Sequence, residues 1–250
     1  MNGKLYLIGC GPGDADLLTL KAIKTIEKLD IALIDHLLTD EIIDLIPSKA
    51  KIVFVGKEKG KHSFPQDQIN TMISEYAQQG YIVGRLKCGD PYIFGRGTEE
   101  ALYASHHGIQ TEVIPGISSA LSGPLSVGIA PTARGISTGV SIVSAHLSGD
   151  RVNLAWIPML KTPDHTTIVL MGLSRARQII KEALMQGIDS TLPVAIVSNA
   201  TTLDQSSIVT TLDGLINAAK TAPKPAILVF GNVITLSTLL PHYVYEPKES

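Results

Sequence analysis

The chain has 250 residues, enough for one large domain or for two of about 120 residues that each bury a core. Lysine and arginine number 21 against 23 aspartates and glutamates, so the net charge of -2 provides no global positive field for nucleic acid or anionic lipid. Two cysteines are too few for a disulfide framework, and the first apolar run is too short for a signal peptide or a membrane span. We therefore expect a cytoplasmic protein with neither nucleic acid nor a membrane as a partner.

The first half of the chain alternates short β-branched runs with amphipathic segments. The strand-like runs are Leu5–Ile8, Ile31–Ile34, Ile52–Val55, Ile82–Leu86 and Thr111–Ile114. Residues 15–29 are typical of the connecting segments, because apolar residues recur at helical spacing along one face. This alternation predicts a largely parallel sheet covered by helices.

A first glycine loop, CGPGD at 10–14, lies between a predicted strand and a predicted helix. Open α/β sheets bind ligands at such positions. A dinucleotide fingerprint would need its third glycine where this chain has Asp14, whose charge opposes a pyrophosphate, and Pro12 removes a backbone donor. The loop thus favours close approach of a different ligand, although a plain strand-to-helix turn remains an alternative.

A second glycine loop follows the fourth predicted strand and reads CGDPYIFGRG at 88–97. It combines three glycines, an aspartate before a proline, two aromatic residues and an arginine, which is more than a turn requires. Backbone carbonyls beside an apolar wall suit a ligand that is part aromatic and part cationic. A sulfonium is such a group, since its polarised methyl can make weak C–H···O contacts.

Residues 116–135 are rich in Gly, Pro and Ser and are predicted to link two domains. We expect an N-terminal α/β domain at 1–115, a C-terminal α/β domain at 136–243 and a tail at 244–250. Strand candidates of the second domain are Val140–Val143, Thr167–Leu170, Val194–Val197 and Ala226–Phe230, and helix candidates lie near 174–186 and 210–220.

Both loops belong to a longer set of collinear motifs. The others are FVGK at 54–57, HSFPQDQIN at 62–70, VIPGISSA at 113–120, MGL at 171–173 and NATT at 199–202. In order and spacing, over about residues 4–240, they resemble the tetrapyrrole methyltransferase superfamily and, within it, the uroporphyrinogen III C-methyltransferases. The resemblance implies two α/β domains with mainly parallel sheets, a cofactor in the inter-domain cleft and a homodimer.

The resemblance also implies a reaction and its participants. S-adenosyl-L-methionine would methylate two carbons of uroporphyrinogen III, giving precorrin-2 by way of precorrin-1 and S-adenosyl-L-homocysteine as by-product, for sirohaem or cobalamin biosynthesis. Asp35 and Lys57 would form the acid–base pair, Arg96 and Arg134 would bind substrate carboxylates, and no metal is expected. The implied cofactor contacts are Pro12, Cys88, Gly89, Asp90, Ile93, Ser118, Ser119, Met171 and Ala200.

Other interpretations stay open at this level. Asp35 could be a solvated or capping aspartate at a strand end, and Lys57 could be an ordinary surface lysine. Cys88, His36, Ala133 and Ser198 depart from the residues common in the family, which puts the detail of the substrate in doubt. A relative that acts later in corrin synthesis or on a macromolecule, and a non-catalytic module that binds S-adenosylmethionine or tetrapyrrole, are the competing functions.

Overall fold

The computed structural model describes residues 3–56, 64–147, 149 and 151–246. The chain divides into two compact units, Met1–Ser118 and Ser119–Ser250. Residues 119–126, which lie inside the segment expected to link two domains, form a helix of the second unit.

The first unit is a five-stranded parallel sheet with helical connections. Its strands are β1 (Lys4–Gly9), β2 (Ile31–Ile34), β3 (Lys51–Phe54), β4 (Ile82–Lys87) and β5 (Gln110–Ile114). Its helices are α1 (Leu20–Ile26), α2 (Asp40–Ile43), α3 (Gln66–Gln78) and α4 (Gly97–His106), with a 3-10 turn at Ala15–Leu17. The strand order is β3-β2-β4-β1-β5, and every pairing is parallel, as the alternating pattern predicts.

Hydrophobic residues cover both faces of this sheet. On β1, Leu5 and Leu7 belong to one core cluster and Ile8 to another, because side chains alternate between the faces of a strand. Helix α1 begins where the Thr19 side chain accepts a hydrogen bond from the Ala22 backbone N–H, and it buries Ile26 against the sheet. Burial on both faces explains why β2, whose four residues are all buried, reads as a continuous apolar run.

The second unit contains strands β6 (Gly139–Ser144), β7 (His165–Leu170), β8 (Pro193–Ser198), β9 (Ser206–Thr211) and β10 (Ala226–Phe230). Its helices are α5 (Ser119–Ser126), α6 (Ala176–Met185) and α7 (Leu215–Thr221), with 3-10 turns at Ile157–Lys161, Leu173–Arg175 and Asn232–Leu236. The strand order is β6-β7-β10-β8-β9.

The pairing of this second sheet corrects one expectation. Only β6 and β7 pair in parallel, whereas β10 runs antiparallel to both of its neighbours and β9 runs antiparallel to β8. The expectation of mainly parallel pairing therefore holds in the first unit and fails in the second. The cause is the short turn at 199–205, which folds β9 back on β8, followed by the insertion of β10 between β7 and β8.

The helix predicted near 210–220 is wrong in its first residues, which belong to strand β9 or to the turn after it. Residues 206–211 form this strand, and α7 begins only at Leu215.

Among the described residues, no helix is both long enough and apolar enough to cross a bilayer.

Candidate functional site

The two glycine loops of the first unit are bonded directly to each other. The Gly11 N–H donates to the Gly89 carbonyl at 3.2 Å, and the Gly89 N–H donates to the Gly11 carbonyl at 2.6 Å. Because β1 and β4 are neighbouring parallel strands, their carboxyl ends deliver both loops to one edge of the sheet. The two glycine loops therefore lie side by side at this edge.

Four glycines make this contact between the loops possible. A Cβ atom on Gly116 would lie 2.3 Å from the Gly89 carbonyl oxygen, and one on Gly9 would lie 2.4 Å from the Gly116 nitrogen. Gly11 and Gly89 also have positive φ angles of 71° and 74°, which glycine adopts without steric cost. The ends of β1, β4 and β5 therefore approach to a distance that side chains would forbid.

Asp90 braces the second loop through both carboxylate oxygens. Its Oδ1 accepts the Tyr92 backbone N–H at 2.8 Å, and its Oδ2 accepts the Gly116 backbone N–H at 3.1 Å. The first contact forms an Asx turn inside the loop, and the second ties the loop to the segment after β5. An aspartate predicted to contact a cofactor thus also organises the loop that would present it.

The second loop exposes apolar side chains on a strained backbone. Tyr92, Ile93 and Phe94 are consecutive and largely exposed. Phe94 and Arg96 have positive φ angles of 53° and 59°, a conformation that costs a non-glycine residue roughly 1–3 kcal/mol. Exposed apolar groups held at such a cost are typical of a ligand-binding segment.

Asp35 lies at the same edge of the sheet, directly after β2. Its Oδ1 accepts a hydrogen bond from Arg85 Nη2 at 2.6 Å, and its side chain is 26% exposed. No hydrogen bond from a described residue reaches its Oδ2. The carboxylate is therefore fixed through one oxygen, while the other can accept a proton.

Arg85 belongs to a buried ionic network beneath this edge. Arg85 Nε and Lys87 Nζ each lie 3.0 Å from Glu100 Oε1, and Gln66 Nε2 lies 3.1 Å from the same oxygen. Burial and the neighbouring Arg85 lower the pKa of Lys87, whereas Glu100 favours its charged form. For Arg85, burial opposes the charge, but Asp35 and Glu100 outweigh it and raise the pKa.

Both cysteines lie at the loop ends and are free thiols. Cys10 Sγ lies 3.6 Å from the Ile8 carbonyl oxygen, and Cys88 Sγ lies 3.6 Å from the Gly11 carbonyl oxygen. Burial raises the pKa of Cys10 well above its usual range and that of Cys88 to about 11. At neutral pH these thiols are therefore uncharged packing groups that are poor nucleophiles.

The second unit holds its own set of predicted contacts. Met171 follows β7, and Ala200 lies in the turn after β8, so both residues occupy the carboxyl ends of strands that run in the same direction. Met171 is exposed with a φ angle of 58°, and Ala200 is flanked by residues of positive φ. A Cβ atom on Gly123 of α5 would lie 3.8 Å from the Ala200 Cβ, and Ser119 begins the same helix.

The three cationic residues predicted for the site lie in different parts of the chain. Arg96 is exposed and pairs with Glu99 through two hydrogen bonds of 2.9 and 2.7 Å. Arg134 is exposed on the turn that joins Ala133 and Ser137. Lys57, the predicted acid, lies outside the described residues.

Residues 4–216 match the family model described as "Tetrapyrrole (Corrin/Porphyrin) Methylases". The chain belongs to the tetrapyrrole methylase family. The expected enzyme class, a methyltransferase, is thereby confirmed, and so is the fold class of two α/β units.

Relatives of this tetrapyrrole methylase cover nearly all of its length. It is 39% identical over 239 residues to a uroporphyrinogen-III C-methyltransferase of Methanocaldococcus jannaschii, covering 94% of this chain and 98% of that protein. It is 39% identical over 234 residues to siroheme synthase 1 of Klebsiella pneumoniae, of which the chain spans half. The solved uroporphyrin-III C-methyltransferase of Thermus thermophilus, complexed with S-adenyl homocysteine, aligns with a TM-score of 0.81 and 34% identity over 93% of this chain and 99% of that one.

Sequence reasoning missed the buried part of this methylase site. Arg85 falls within the predicted strand Ile82–Leu86 and has no predicted role, and neither Lys87 nor Glu100 is among the predicted site residues. A signal was present, because charged residues at alternate positions inside a buried strand need partners. Within the described ranges, no group of three or more His, Cys, Asp or Glu side chains could hold a metal ion.

Proposed function

We propose that this methylase transfers methyl groups from S-adenosyl-L-methionine to two carbons of uroporphyrinogen III, forming precorrin-2 by way of precorrin-1. The product would serve sirohaem or cobalamin synthesis. Support comes from the relatives named above, two of which are called uroporphyrinogen or uroporphyrin III C-methyltransferases. The single observation that carries the proposal is the reciprocal bonding of Gly11 and Gly89 at the sheet edge where Asp35 also lies.

The residues at this edge fit the proposed cofactor. Gly9, Gly89 and Gly116 leave a side-chain-free stretch of backbone whose carbonyl and amide groups can approach a ligand closely. Exposed Ile93 offers apolar contact for an adenine ring, and Pro12, Cys88 and Asp90 flank the paired glycines. Bound S-adenosylmethionine supplies an electrophilic methyl group. From the resemblance alone, we keep Ser118, Ser119, Met171 and Ala200 as further proposed contacts.

Asp35 is the proposed general base. After a pyrrole carbon gains a substituent, the macrocycle must lose a proton, and a carboxylate near the substrate can accept it. Arg85 fixes one oxygen of Asp35 by a hydrogen bond of 2.6 Å, which leaves Oδ2 to receive that proton. Lys57 remains the proposed acid on the basis of the resemblance.

Uroporphyrinogen III carries eight carboxylates, which require cations at the binding surface. Arg134 is proposed to bind one of them because its guanidinium is exposed and can donate two parallel hydrogen bonds. Arg96 is proposed to do so as well, with Glu99 orienting its guanidinium until the substrate arrives.

We further propose that the protein is a cytoplasmic homodimer. Two free cysteines accord with a reducing compartment. Leu121 and Leu125, one turn apart on α5, are exposed and would be covered by a partner chain. Analytical ultracentrifugation tests the dimer, and a monomer across micromolar concentrations would refute it.

An anaerobic methyl-transfer assay tests the function. Purified protein, S-adenosylmethionine and freshly reduced uroporphyrinogen III should give a tetrapyrrole bearing two added methyl groups, with a singly methylated species appearing first. Two equivalents of S-adenosylhomocysteine should form for each product molecule. If only an already methylated precorrin gained mass, the substrate assignment would be wrong while the methyltransferase assignment stood.

A further inference from the structure

We propose that Glu100 is a positioning residue for proton transfer, because it fixes the orientation of Arg85 and balances the charge that Asp35 experiences. This inference rests on the proposed role of Asp35 as the base. It concerns a helix residue that lies behind the sheet edge and is connected to Asp35 through Arg85.

Glu100 is the hub of the buried network. Its side chain is fully buried, and a single oxygen, Oε1, accepts hydrogen bonds from Arg85, Lys87 and Gln66. Its Oε2 has no hydrogen-bond partner among the described residues. A buried carboxylate that is only half satisfied contributes less to stability than a fully paired one, so its presence calls for another explanation.

Arg85 transmits the constraint from Glu100 to Asp35. Its Nε donates to Glu100, its Nη1 donates to the carbonyls of Leu86 at 3.0 Å and Leu33 at 3.5 Å, and its Nη2 donates to Asp35. The guanidinium is planar, so fixing Nε fixes the direction in which Nη2 points. The chain of contacts ends at Asp35, whose side chain is more exposed than those of Arg85, Lys87 and Glu100.

The network is also balanced in charge. Two cations, Arg85 and Lys87, face two anions, Glu100 and Asp35, in a region of low effective dielectric constant. Cys10 and Cys88 also interact electrostatically with Asp35, and burial keeps both thiols neutral. The negative charge of Glu100 therefore offsets part of the positive charge that Arg85 and Lys87 present to Asp35.

Removing the Glu100 charge should change the Asp35 pKa in a predictable direction. Two uncompensated cations stabilise the Asp35 carboxylate, which lowers its pKa and makes it a weaker base. Glu100→Gln should therefore move the acid limb of the kcat–pH profile to lower pH. It should lower kcat by roughly ten- to a hundredfold, part of the roughly 10²–10⁴-fold that general-base catalysis contributes.

The test combines carboxyl NMR with steady-state kinetics on the full chain. Aspartate labelled with ¹³C at the side-chain carboxyl gives the Asp35 pKa directly, with Asp35→Asn identifying the resonance. In Glu100→Gln we expect a lower Asp35 pKa, a lower kcat, and unchanged KM for uroporphyrinogen III and affinity for S-adenosylhomocysteine. The double variant Glu100→Gln/Lys87→Met removes one charge of each sign and should return the Asp35 pKa toward its original value.

The proposal would be overturned if Glu100→Gln changed neither the Asp35 pKa nor the kcat per folded molecule. Glu100 would then be a purely structural residue. If Glu100→Gln does not fold, Lys87→Met provides the same test with the opposite sign, since it should raise the Asp35 pKa, and no change would be equally decisive. Full turnover by Asp35→Asn would refute the base assignment separately, because the NMR measurement of coupling does not depend on activity.

Discussion

Gly11 and Gly89 exchange two backbone hydrogen bonds, which joins the ends of β1 and β4 into one ledge beside Asp35. This short antiparallel bridge lies at the edge of an otherwise parallel sheet. Neither glycine has a side chain to keep a ligand away from the paired backbone. The ledge is the part of the fold on which the proposed binding of S-adenosylmethionine depends.

Gly116→Ala should damage the ledge. The added Cβ would meet the Gly89 carbonyl oxygen at 2.3 Å, so the backbone must shift, at a cost of about 1–3 kcal/mol in the free energy of unfolding. We expect urea denaturation to show this loss and calorimetry to show S-adenosylhomocysteine affinity reduced at least about tenfold. Gly108→Ala is the control, since Gly108 has a positive φ but no atom within 4 Å of its Cβ position. It should lose stability alone, and equal loss of affinity in both variants would count against the ledge.

Asp35→Asn should lower kcat by roughly 10²–10⁴-fold, because an amide cannot accept the macrocycle proton. The affinity for S-adenosylhomocysteine should stay the same, since the substitution nearly preserves shape. Asp44→Asn, at the exposed end of α2, is the matched control and should have wild-type kinetics. Undiminished turnover by Asp35→Asn would show that another group takes the proton.

Arg134→Ala should raise the KM for uroporphyrinogen III about tenfold while leaving cofactor affinity unchanged, because the exposed guanidinium would pair with a substrate carboxylate. Arg177→Ala, which removes an exposed arginine from α6, controls for the loss of one positive charge. Identical KM values for the two variants and the wild type would remove Arg134 from the substrate site.

The Cys88 thiol should make stability depend on pH in alkaline solution. Its pKa in the folded protein is raised by burial to about 11, whereas an unfolded thiol titrates near about 8.5. Below the unfolded pKa both states keep the proton, and above it only the unfolded state loses it, so the free energy of unfolding should fall up to about pH 11. Cys88→Ala should flatten this decline in urea titrations across that range. An unchanged slope would mean that the folded thiol titrates normally.

The sequence predicted the parallel first sheet, the position of each glycine loop after a strand and the position of Asp35 at a strand end, because each depends on local pattern. The Glu100–Arg85–Asp35 connection escaped prediction, since it depends on how α4, which packs against β1 and β5, places Glu100 near Arg85 of β4. Strand β9 was not predicted because its half-buried polar residues have no strong apolar periodicity. Without β9, the antiparallel pairing of the second sheet could not be predicted either.

Hydrogen–deuterium exchange with and without S-adenosylhomocysteine tests the central claim most directly. The account predicts that peptides covering 9–14 and 88–97 gain protection together, while the segment 102–108 at the end of α4 does not change. Binding that left both loops exchanging as fast as before, or protected only one of them, would contradict a ligand site built on the Gly11–Gly89 ledge.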